Sequence, residues 1–195
     1  MPSSLRARLA VAVVKRRLPS LVAADPVADL PDGLHVAIVG SGSPLPDTKR
    51  GNPCAAVIAG GRVYVVDAGE RSSESMNRMQ IAPNRIAAVL MTHFHSDHIG
   101  GLATVNLQRW VADAATTPMR VIGPPGVDRV VGGLNEAYAL DRGYRTGHHG
   151  PELAPPATGA MVAEPYTFPD VADSMVVLEE DGLKVTAFVV EHPPD

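Results

Sequence analysis

Short apolar runs separated by glycine- and proline-rich turns make up most of the chain from His35 onward. The run His35–Val39 ends at a glycine, and the runs Ala55–Ala59 and Val63–Val66 flank a Gly-Gly-Arg loop that is typical of a β-hairpin. The uninterrupted apolar run Ile86–Met91 predicts a strand that is buried on both faces. The pattern therefore predicts an early group of strands that pair with their neighbours in sequence.

Helical and strand patterns alternate in the rest of the chain. Helical spacing and short apolar runs predict a helix from Ser72 or Ser73 to Met79, a helix after His98, a strand at Met119–Ile122, a helix over Val127–Leu140, and a hairpin of Met175–Leu178 with Leu183–Val190. Residues 141–170 are rich in glycine and proline, which predicts an irregular insertion. Because locally paired strands are followed by alternating helices and strands, the predicted class is α+β.

The first 30 residues predict a basic N-terminal helix and linker, followed by a domain over residues 31–195. Residues 5–18 place apolar side chains on one face of a helix, with basic side chains around them. This segment is open to three interpretations: a solvated helix packed on the domain, a basic helix at a membrane surface, or a secretory signal. The signal is the least favoured, because the apolar run Leu9–Val14 is shorter than a signal usually needs.

Composition and charge limit the classes of function. Hydrophobic residues make up 45% of the 195 residues and charged residues 19%, which allows a sizeable core and argues against general disorder. The single cysteine, Cys54, excludes a disulfide framework and a multi-cysteine zinc site, and we expect it to be a small buried residue. The first 24 residues hold five of the 17 basic side chains and none of the 21 acidic ones, so the remainder has a net charge of −9. Such a body argues against extensive contact with a nucleic-acid backbone.

Three of the seven histidines lie within His93–His98, between a buried strand and a predicted helix. Such a turn opens onto the edge of a sheet, where ligands usually bind. His93 and His95 are two residues apart, so an extended backbone points both to the same side, while Asp97 and His98 can face a second point nearby. Imidazole and carboxylate are the ligands expected for Zn²⁺, Mn²⁺ or Fe²⁺. The alternative, a polar turn with histidines by chance, is weaker because clustering, ligand chemistry and position agree.

Residues His93–His98 match the HxHxDH signature of the metallo-β-lactamase fold, and the chain resembles the ribonuclease Z-like branch of that fold. The other matching segments follow in the family's order: Gly40–Pro44 after the first strand, Val66–Glu70 at the end of an early strand, Val121–Gly126 at a strand with a G-P-x-G turn, and Val185–His192 at the strand that carries the next histidine. The resemblance implies a four-layer αββα metallo-β-lactamase sandwich, of which this chain covers roughly the first half to two-thirds. The bridging aspartate and late histidine that the family needs would follow His192.

The resemblance also implies roles for the ligand-type residues. It implies that His93, His95 and His192 hold one metal ion. Asp97 and His98 would help to hold a second ion, and Asp97 would also accept a hydrogen bond from the attacking water and orient it. His192 taken alone is open to a second interpretation, an ordinary histidine at the end of a strand.

Other polar residues are candidates for supporting roles. The resemblance implies that Asp67 orients the ligand loop; the alternative is a carboxylate that caps a strand end. Lys49 and Arg50 lie in a loop that loosely resembles the P-x-K-x-R-N loop of ribonuclease Z proteins, so they are either contacts for a substrate phosphate or part of a solvated basic turn. His148 and His149 are a competing source of metal ligands, and otherwise line the rim of a pocket or belong to a plain loop.

The function that the resemblance implies is metal-dependent hydrolysis with two divalent ions and a metal-activated water. Zinc is the first choice of ion, with manganese or iron as alternatives. A phosphodiesterase of the ribonuclease Z type is the leading interpretation, and an arylsulfatase, a lactonase or another esterase would use the same ions. The non-enzymatic alternative is an inactive truncated fragment that only binds metal.

Partners and location are less constrained by the sequence. The expected substrate is a small phosphoester or another ester, and RNA stays open although the acidic body does not favour it. A homodimer, weak contact of residues 1–24 with a membrane surface and a cytoplasmic location are further expectations. An incomplete sandwich would leave apolar sheet surface in water, so the chain alone is expected to fold poorly or to associate.

Overall fold

A six-stranded mixed sheet and a smaller two-stranded sheet form the frame of the computed structural model, which describes residues 25–45, 47–112, 115–169 and 173–192. The strands are β1 His35–Gly40, β2 Cys54–Ala59, β3 Arg62–Val66, β4 Ile86–Leu90, β5 Arg120–Gly123, β6 Val162–Pro165, β7 Ser174–Glu180 and β8 Leu183–Phe188. The basic N-terminal helix predicted within the first 24 residues lies outside the described residues, so its packing, membrane contact and separation from the domain stay predictions.

Five α-helices join the strands in the described part of the chain. They are α1 Ser72–Arg78, α2 Ser96–Ile99, α3 Leu102–Val111, α4 Val127–Ala137 and α5 Ala139–His149, with short 3₁₀ turns at Pro83–Arg85 and Pro156–Thr158. Among the described helices, none has the length and apolar character needed to cross a membrane. The mixture of helices with a mixed sheet agrees with the predicted α+β class.

The strand directions place the starts of the parallel strands at one edge of the large sheet and their ends at the opposite edge, measured along the strands. The strands lie in the order β1-β2-β3-β4-β5-β6, with antiparallel pairing from β1 to β3 and parallel pairing from β3 to β6. The four parallel strands therefore all begin at one edge, which we call the amino edge, and all end at the other, the carboxyl edge. The register aligns Val66 with Leu90 and Leu90 with Ile122, so the loops after β3, β4 and β5 leave the carboxyl edge side by side.

The helix-covered face of the large sheet holds the main core. Alternate residues of the strands point to this face, as the two-residue period of a strand requires. They are Val63 and Val65 of β3, Val89 of β4 and Val121 of β5, and they pack with Leu102, Val105 and Val127 from the helices. Trp110 is almost completely buried, and its indole N–H donates to the carbonyl of Pro155 at 2.9 Å. Close packing of the apolar side chains and hydrogen bonding of the buried polar groups hold the helices against this face of the sheet.

The other face of the large sheet is covered by the β7–β8 hairpin. Leu178 and Leu183 pack on Tyr64, Ala88 and Ile122 in a second core. Beyond the hairpin, Val36 and Ile38 of β1 are each more than 60% exposed among the described residues. The described residues thus supply a helix layer, a six-stranded first sheet and a two-stranded second sheet.

The prediction of irregular structure over residues 141–170 is wrong for two parts of that range, which form a helix and a strand. Helix α5 occupies its first part, where Arg145 donates to the Asp141 carboxylate at 2.8 Å one turn away. Strand β6 occupies a later part and pairs with β5 in parallel. Composition misled the prediction because glycine weakens a helix by only about 1 kcal/mol per residue, which side-chain pairs and packing offset. Pro165 is tolerated because β6 is an edge strand.

One further boundary differs from the sequence pattern. The helix predicted to run to Leu140 ends at Ala137, and a new helix begins after Tyr138, whose backbone leaves the helical region at φ −99° and ψ 10°. The predicted hairpin of β2 and β3 is present, with Gly60 and Gly61 both at positive φ. Such a two-residue turn matches the twist of the strands that it joins, so only glycine is free of strain there.

Cys54 should be inert in the folded protein. The residue is 4% exposed, and burial raises the pKa of its thiol to about 11, so about one thiol in a thousand is ionised at pH 8. Because the thiolate is the reactive form, we expect no labelling by a thiol reagent under native conditions and one label per chain in denaturant. Rapid native labelling at pH 8, measured by mass spectrometry, would contradict this burial.

Candidate metal centre

The candidate site lies at the carboxyl edge, where the loops after β3 and β4 meet. The backbone N–H of Asp67 donates to Leu90 O at 2.9 Å, and the N–H of Met91 donates to Ile122 O at 2.8 Å, so the ladder continues just past the strands. Asp67 then turns the chain with a φ of 56°, a conformation that aspartate adopts more readily than most residues. These bonds hold the HxHxDH loop rigidly against the end of β3.

The carboxylate of Asp67 is the structural centre of this loop. It is 5% exposed and accepts three hydrogen bonds, from Thr92 N at 2.9 Å, from Thr92 Oγ1 at 2.8 Å and from His98 Nδ1 at 2.7 Å. A carboxylate can only accept, so His98 carries its proton on Nδ1 and leaves Nε2 free as a ligand atom. The orienting role predicted for Asp67 is thus consistent with its contacts, which also satisfy an otherwise orphaned backbone N–H.

Thr92 sets the tautomer of His93 by the same reasoning. Its hydroxyl has one hydrogen, which goes to Asp67, so the oxygen accepts from His93 Nδ1 at 2.9 Å. His93 Nε2 is therefore left unprotonated as a ligand atom, 2.9 Å from His95 Nδ1. Sequence reasoning missed this threonine, and its position directly before the histidine motif was the available signal.

Three imidazoles from two different sheets converge beside this loop. One ligand atom from each of His93, His95 and His192 can be chosen so that all three lie within 4.8 Å of one another. The ring centroids of His93 and His95 are 4.6 Å apart, and that of His192 lies 4.6 Å from the first and 5.0 Å from the second. His192 follows β8, so the small sheet supplies the third member of a group that the large sheet begins.

Asp97 and His98 form the adjoining part of the site. The His98 ring centroid is 4.1 Å from that of His93, and its Nε2 lies 3.8 Å from Asp97 Oδ2. Asp97 is buried in the short helix α2, although it is charged. The structure therefore brings together all five residues that the resemblance implies as metal ligands, while their roles as ligands stay predictions.

The protonation of the cluster suits metal binding. Burial, followed by the neighbouring His98, His95 and His192, lowers the pKa of His93, and the Asp67 carboxylate opposes this only weakly. A lowered pKa keeps the imidazole neutral at neutral pH, and the neutral ring is the form that binds a metal.

The donor set fits a divalent cation of the zinc class. Two nitrogen ligands of a tetrahedral zinc at 2.0–2.1 Å are themselves about 3.3 Å apart, and His93 Nε2 lies 2.9 Å from His95 Nδ1. Three imidazoles leave a further position open, as metal sites that act on substrates require. A cavity of about 360 Å³ opens beside them and is lined by Pro44, His95, Ser96, Asp97, His98 and His192.

The remaining predicted site residues lie outside this group. Lys49 and Arg50 are exposed, and their backbone N–H groups donate to Asp47 Oδ1 at 2.7 and 3.1 Å, so the loop is ordered while the side chains face solvent. His148 and His149 end helix α5 with their rings 4.6 Å from each other, and neither belongs to the three-histidine group. Contact of these four residues with a substrate stays a prediction.

Two glycines allow the loops of the site to pack in direct contact. A Cβ atom added to Gly69 would lie 2.2 Å from Asp97 O, and one added to Gly101 would lie 2.1 Å from Gly69 O. Hydrogen bonds also join these backbone segments: Ala68 N donates to His98 O at 2.8 Å, and Gly101 N donates to Ala68 O at 2.7 Å. The D-x-G-E segment is therefore pressed against the backbone that carries the ligand residues.

Comparison with known proteins bears on this geometry. The family model described as Anti-Pycsar protein Apyc1 matches residues 34–128. Ribonuclease Z of Mycolicibacterium gilvum (strain PYR-GCK) is 36% identical over 163 residues, which are 83% of this chain and 54% of that protein. Ribonuclease Z of Mycobacterium marinum (strain ATCC BAA-535 / M) is 34% identical over 163 residues, or 83% and 55% of the two chains.

Solved structures give the same indication for the fold. The crystal structure of the short form of human tRNase Z superposes with a TM-score of 0.61 at 20% sequence identity, covering 78% of this chain and 59% of that one. The chain has a ribonuclease Z-like metallo-β-lactamase fold. It spans about half the length of the curated ribonuclease Z relatives that it matches. The likeness therefore confirms the predicted fold. The histidine cluster described above is part of this fold.

Replacing Gly69 by alanine should disrupt the packing of the loops that carry this site. The new methyl group would collide with Asp97 O and with Asn52 Cβ at 2.6 Å, so we expect Gly69→Ala to lower the free energy of unfolding by at least about 2 kcal/mol. Gly132→Ala is the matched control, because its Cβ would meet no atom within 4 Å in the interior of α4 and should stabilise by about 0.5–1 kcal/mol. Equal urea midpoints for the two variants would contradict the packing.

Asp67→Asn should weaken metal binding while preserving the shape of the residue. The amide nitrogen would face His98 Nδ1 and Thr92 Oγ1 and reverse the tautomers that leave ligand atoms free. We expect zinc affinity to fall by about 10–100-fold in competition with a chelating dye. Asp47→Asn in an exposed loop is the control, and a folded Asp67→Asn protein with unchanged affinity would exclude the orienting role.

Proposed function

We propose that this protein is a metal-dependent hydrolase that cleaves phosphodiester bonds at the carboxyl edge of its large sheet. The observation that carries the proposal is the convergence of His93, His95 and His192 to within 4.8 Å beside an open cavity. The ribonuclease Z relatives over 83% of the chain support the choice of phosphodiester over other esters. The chain covers about half of the length of those relatives, so the likeness alone does not establish the activity. The proposal therefore rests on the likeness together with the geometry of the site.

The five clustered residues would bind two metal ions between them. His93, His95 and His192 would hold one divalent ion, and Asp97 with the free Nε2 of His98 would help to hold a second. Zinc is the first choice because the donors are mainly imidazoles, and manganese or iron is compatible with an added carboxylate. When bound, such ions supply Lewis-acid activation of water and neutralisation of charge on the phosphate oxygens.

Asp97 has a further role in this proposal. Its carboxylate is buried yet lines the cavity, so it can accept a hydrogen bond from a water that approaches the phosphorus atom. The short helix α2 and the packed backbone of Gly69 hold it in place. A positioned acceptor of this kind orients the nucleophile and lowers the entropy cost of attack.

The proposed natural substrate is an RNA phosphodiester, by analogy with the relatives named ribonuclease Z. A net charge of −9 outside the first 24 residues argues against a broad contact with the RNA backbone. Contact is therefore expected to be concentrated at the cavity, with Lys49 and Arg50 on an exposed neighbouring loop as the nearest predicted phosphate contacts. This arrangement predicts a shallow dependence of binding on salt.

His93→Ala should abolish both metal binding and hydrolysis. We expect the bound zinc, measured by mass spectrometry of the native protein, to fall by at least one ion per chain, and hydrolysis of bis-p-nitrophenyl phosphate to fall by about 100-fold or more. The matched control is His35→Ala, since His35 begins β1 away from the carboxyl edge and its ring forms a hydrogen bond with Pro31 O.

Two outcomes would contradict the proposal. An unchanged metal content in His93→Ala would remove the ligand assignment. Faster turnover of an aryl sulfate or a lactone than of the phosphodiester would keep the metal centre and reject the proposed bond type.

A further inference from the structure

A second polar cavity lies at the amino edge of the large sheet, opposite the metal centre. Its volume is about 560 Å³, and four arginines line it: Arg62, Arg85, Arg109 and Arg120. None of the residues that line it in the described part of the chain is acidic. We propose that this cavity binds a small molecule through a multiply charged phosphate group, independently of the metal centre.

The topology explains why the arginines meet. Arg62 and Arg120 are the first residues of β3 and β5, and Arg85 directly precedes β4. Parallel pairing places Arg62 and Arg85 level with each other, next to the Val63–Ile86 pair, while Arg120 lies opposite Ala88, about two residues further along. All three side chains line one opening. Arg109 reaches the same opening from helix α3. The site thus depends on the same register that aligns the ligand loops at the carboxyl edge.

Two of the four arginines are held in place by carboxylate partners. Arg85 donates to the Asp25 carboxylate at 2.5 to 3.0 Å and to Gly61 O at 2.7 Å. Arg120 uses its three nitrogens on Glu164 and Glu180, at 2.7 to 2.9 Å. Their partners hold these guanidiniums in place and neutralise much of their charge, so they are not expected to donate strongly to a ligand.

Arg62 and Arg109 keep donors that are available to a ligand. Arg62 contacts Glu180 and Asp181 through Nη1 alone, and its side chain is 46% exposed. Arg109 is 9% exposed and makes one recorded bond from each nitrogen, to Ile86 O, Thr117 O and Thr117 Oγ1. Since a guanidinium has five N–H groups, two of those on Arg109 are left over.

The charge of Arg109 favours an anion beside it, because Arg62 is already paired with Glu180 and Asp181 whereas the acceptors of Arg109 are neutral. Burial lowers the pKa of Arg109, and the positive charge of Arg62 lowers it further, so the two cations repel each other across the cavity. The three recorded acceptors of Arg109 are neutral oxygens, which satisfy geometry without compensating its charge. A bound anion would replace this repulsion with two charge-assisted contacts.

The shape and chemistry of the cavity indicate the class of ligand. Guanidinium forks match the oxygens of phosphate, and the Asn84 amide and Thr117 hydroxyl on the same walls add neutral donors. The volume lies within the roughly 300–1,000 Å³ of small-molecule sites and exceeds what a single inorganic ion needs. A pyrophosphate group, alone or within a nucleotide, would span two guanidiniums.

Calorimetric titration of pyrophosphate into the chain, stripped of metal with EDTA, tests the proposal. We expect saturable binding with one molecule per chain, weakened at least tenfold by Arg62→Gln and less by Arg62→Lys, which keeps the charge. Arg129→Gln is the matched control, because Arg129 lies on the exposed face of α4 and does not line the cavity. His93→Ala should bind pyrophosphate as the parent does, which separates this site from the metal centre.

Each remaining outcome would overturn the proposal. These are absence of saturable binding, equal affinity in Arg62→Gln, and binding that needs added zinc or is lost in His93→Ala. Citrate that binds as tightly as pyrophosphate would reject the phosphate class. Thermal melts check that the variants fold, and if Arg62→Gln does not, full affinity in both Arg62→Lys and Arg109→Lys would also count against the site.

Discussion

The buried carboxylate of Asp67 is the contact on which the carboxyl edge depends. It joins the end of β3 to the loop after β4 through Thr92 and His98. Its bonds to the Thr92 hydroxyl and to His98 place the proton of both His93 and His98 on Nδ1. A buried carboxylate is costly unless its acceptors are used, and here the hydrogen bonds that stabilise it also order the metal-binding loop. The stability of the loop and the availability of ligand atoms therefore have the same physical origin.

Parallel pairing extends this order to both ends of the sheet. At the carboxyl edge it brings Asp67 beside the HxHxDH loop, and at the amino edge it brings Arg62 beside Arg120. The two edges differ in charge because carboxylates and imidazoles follow the strands while arginines precede them. An acidic chain can therefore present a cationic cavity without a basic surface, since the separation occurs along the strands.

Local patterns predicted what lies close in sequence and failed where distant residues decide. The apolar run at β4 and the motif His93–His98 were recognisable because strand and ligands are contiguous. The contact of Thr92 with Asp67 joins residues 25 positions apart, and composition gave no sign of it. Helix α5 was missed because its glycines were counted while the Asp141–Arg145 pair that supports it was not. The arginine cavity gathers side chains from separate elements, so only the sheet register could reveal it.

The β7–β8 hairpin connects the two edges physically. At its turn, Glu180 and Asp181 contact Arg62 and Arg120, and beyond its other end His192 joins the histidine cluster. Partly exposed ion pairs add little to stability, so their main effect is on register. A slip of two residues would move His192 by about 7 Å along the strand, which exceeds the 4.8 Å that spans the three ligand atoms. Pairing at the amino edge thus helps to decide whether a complete histidine group forms at the carboxyl edge.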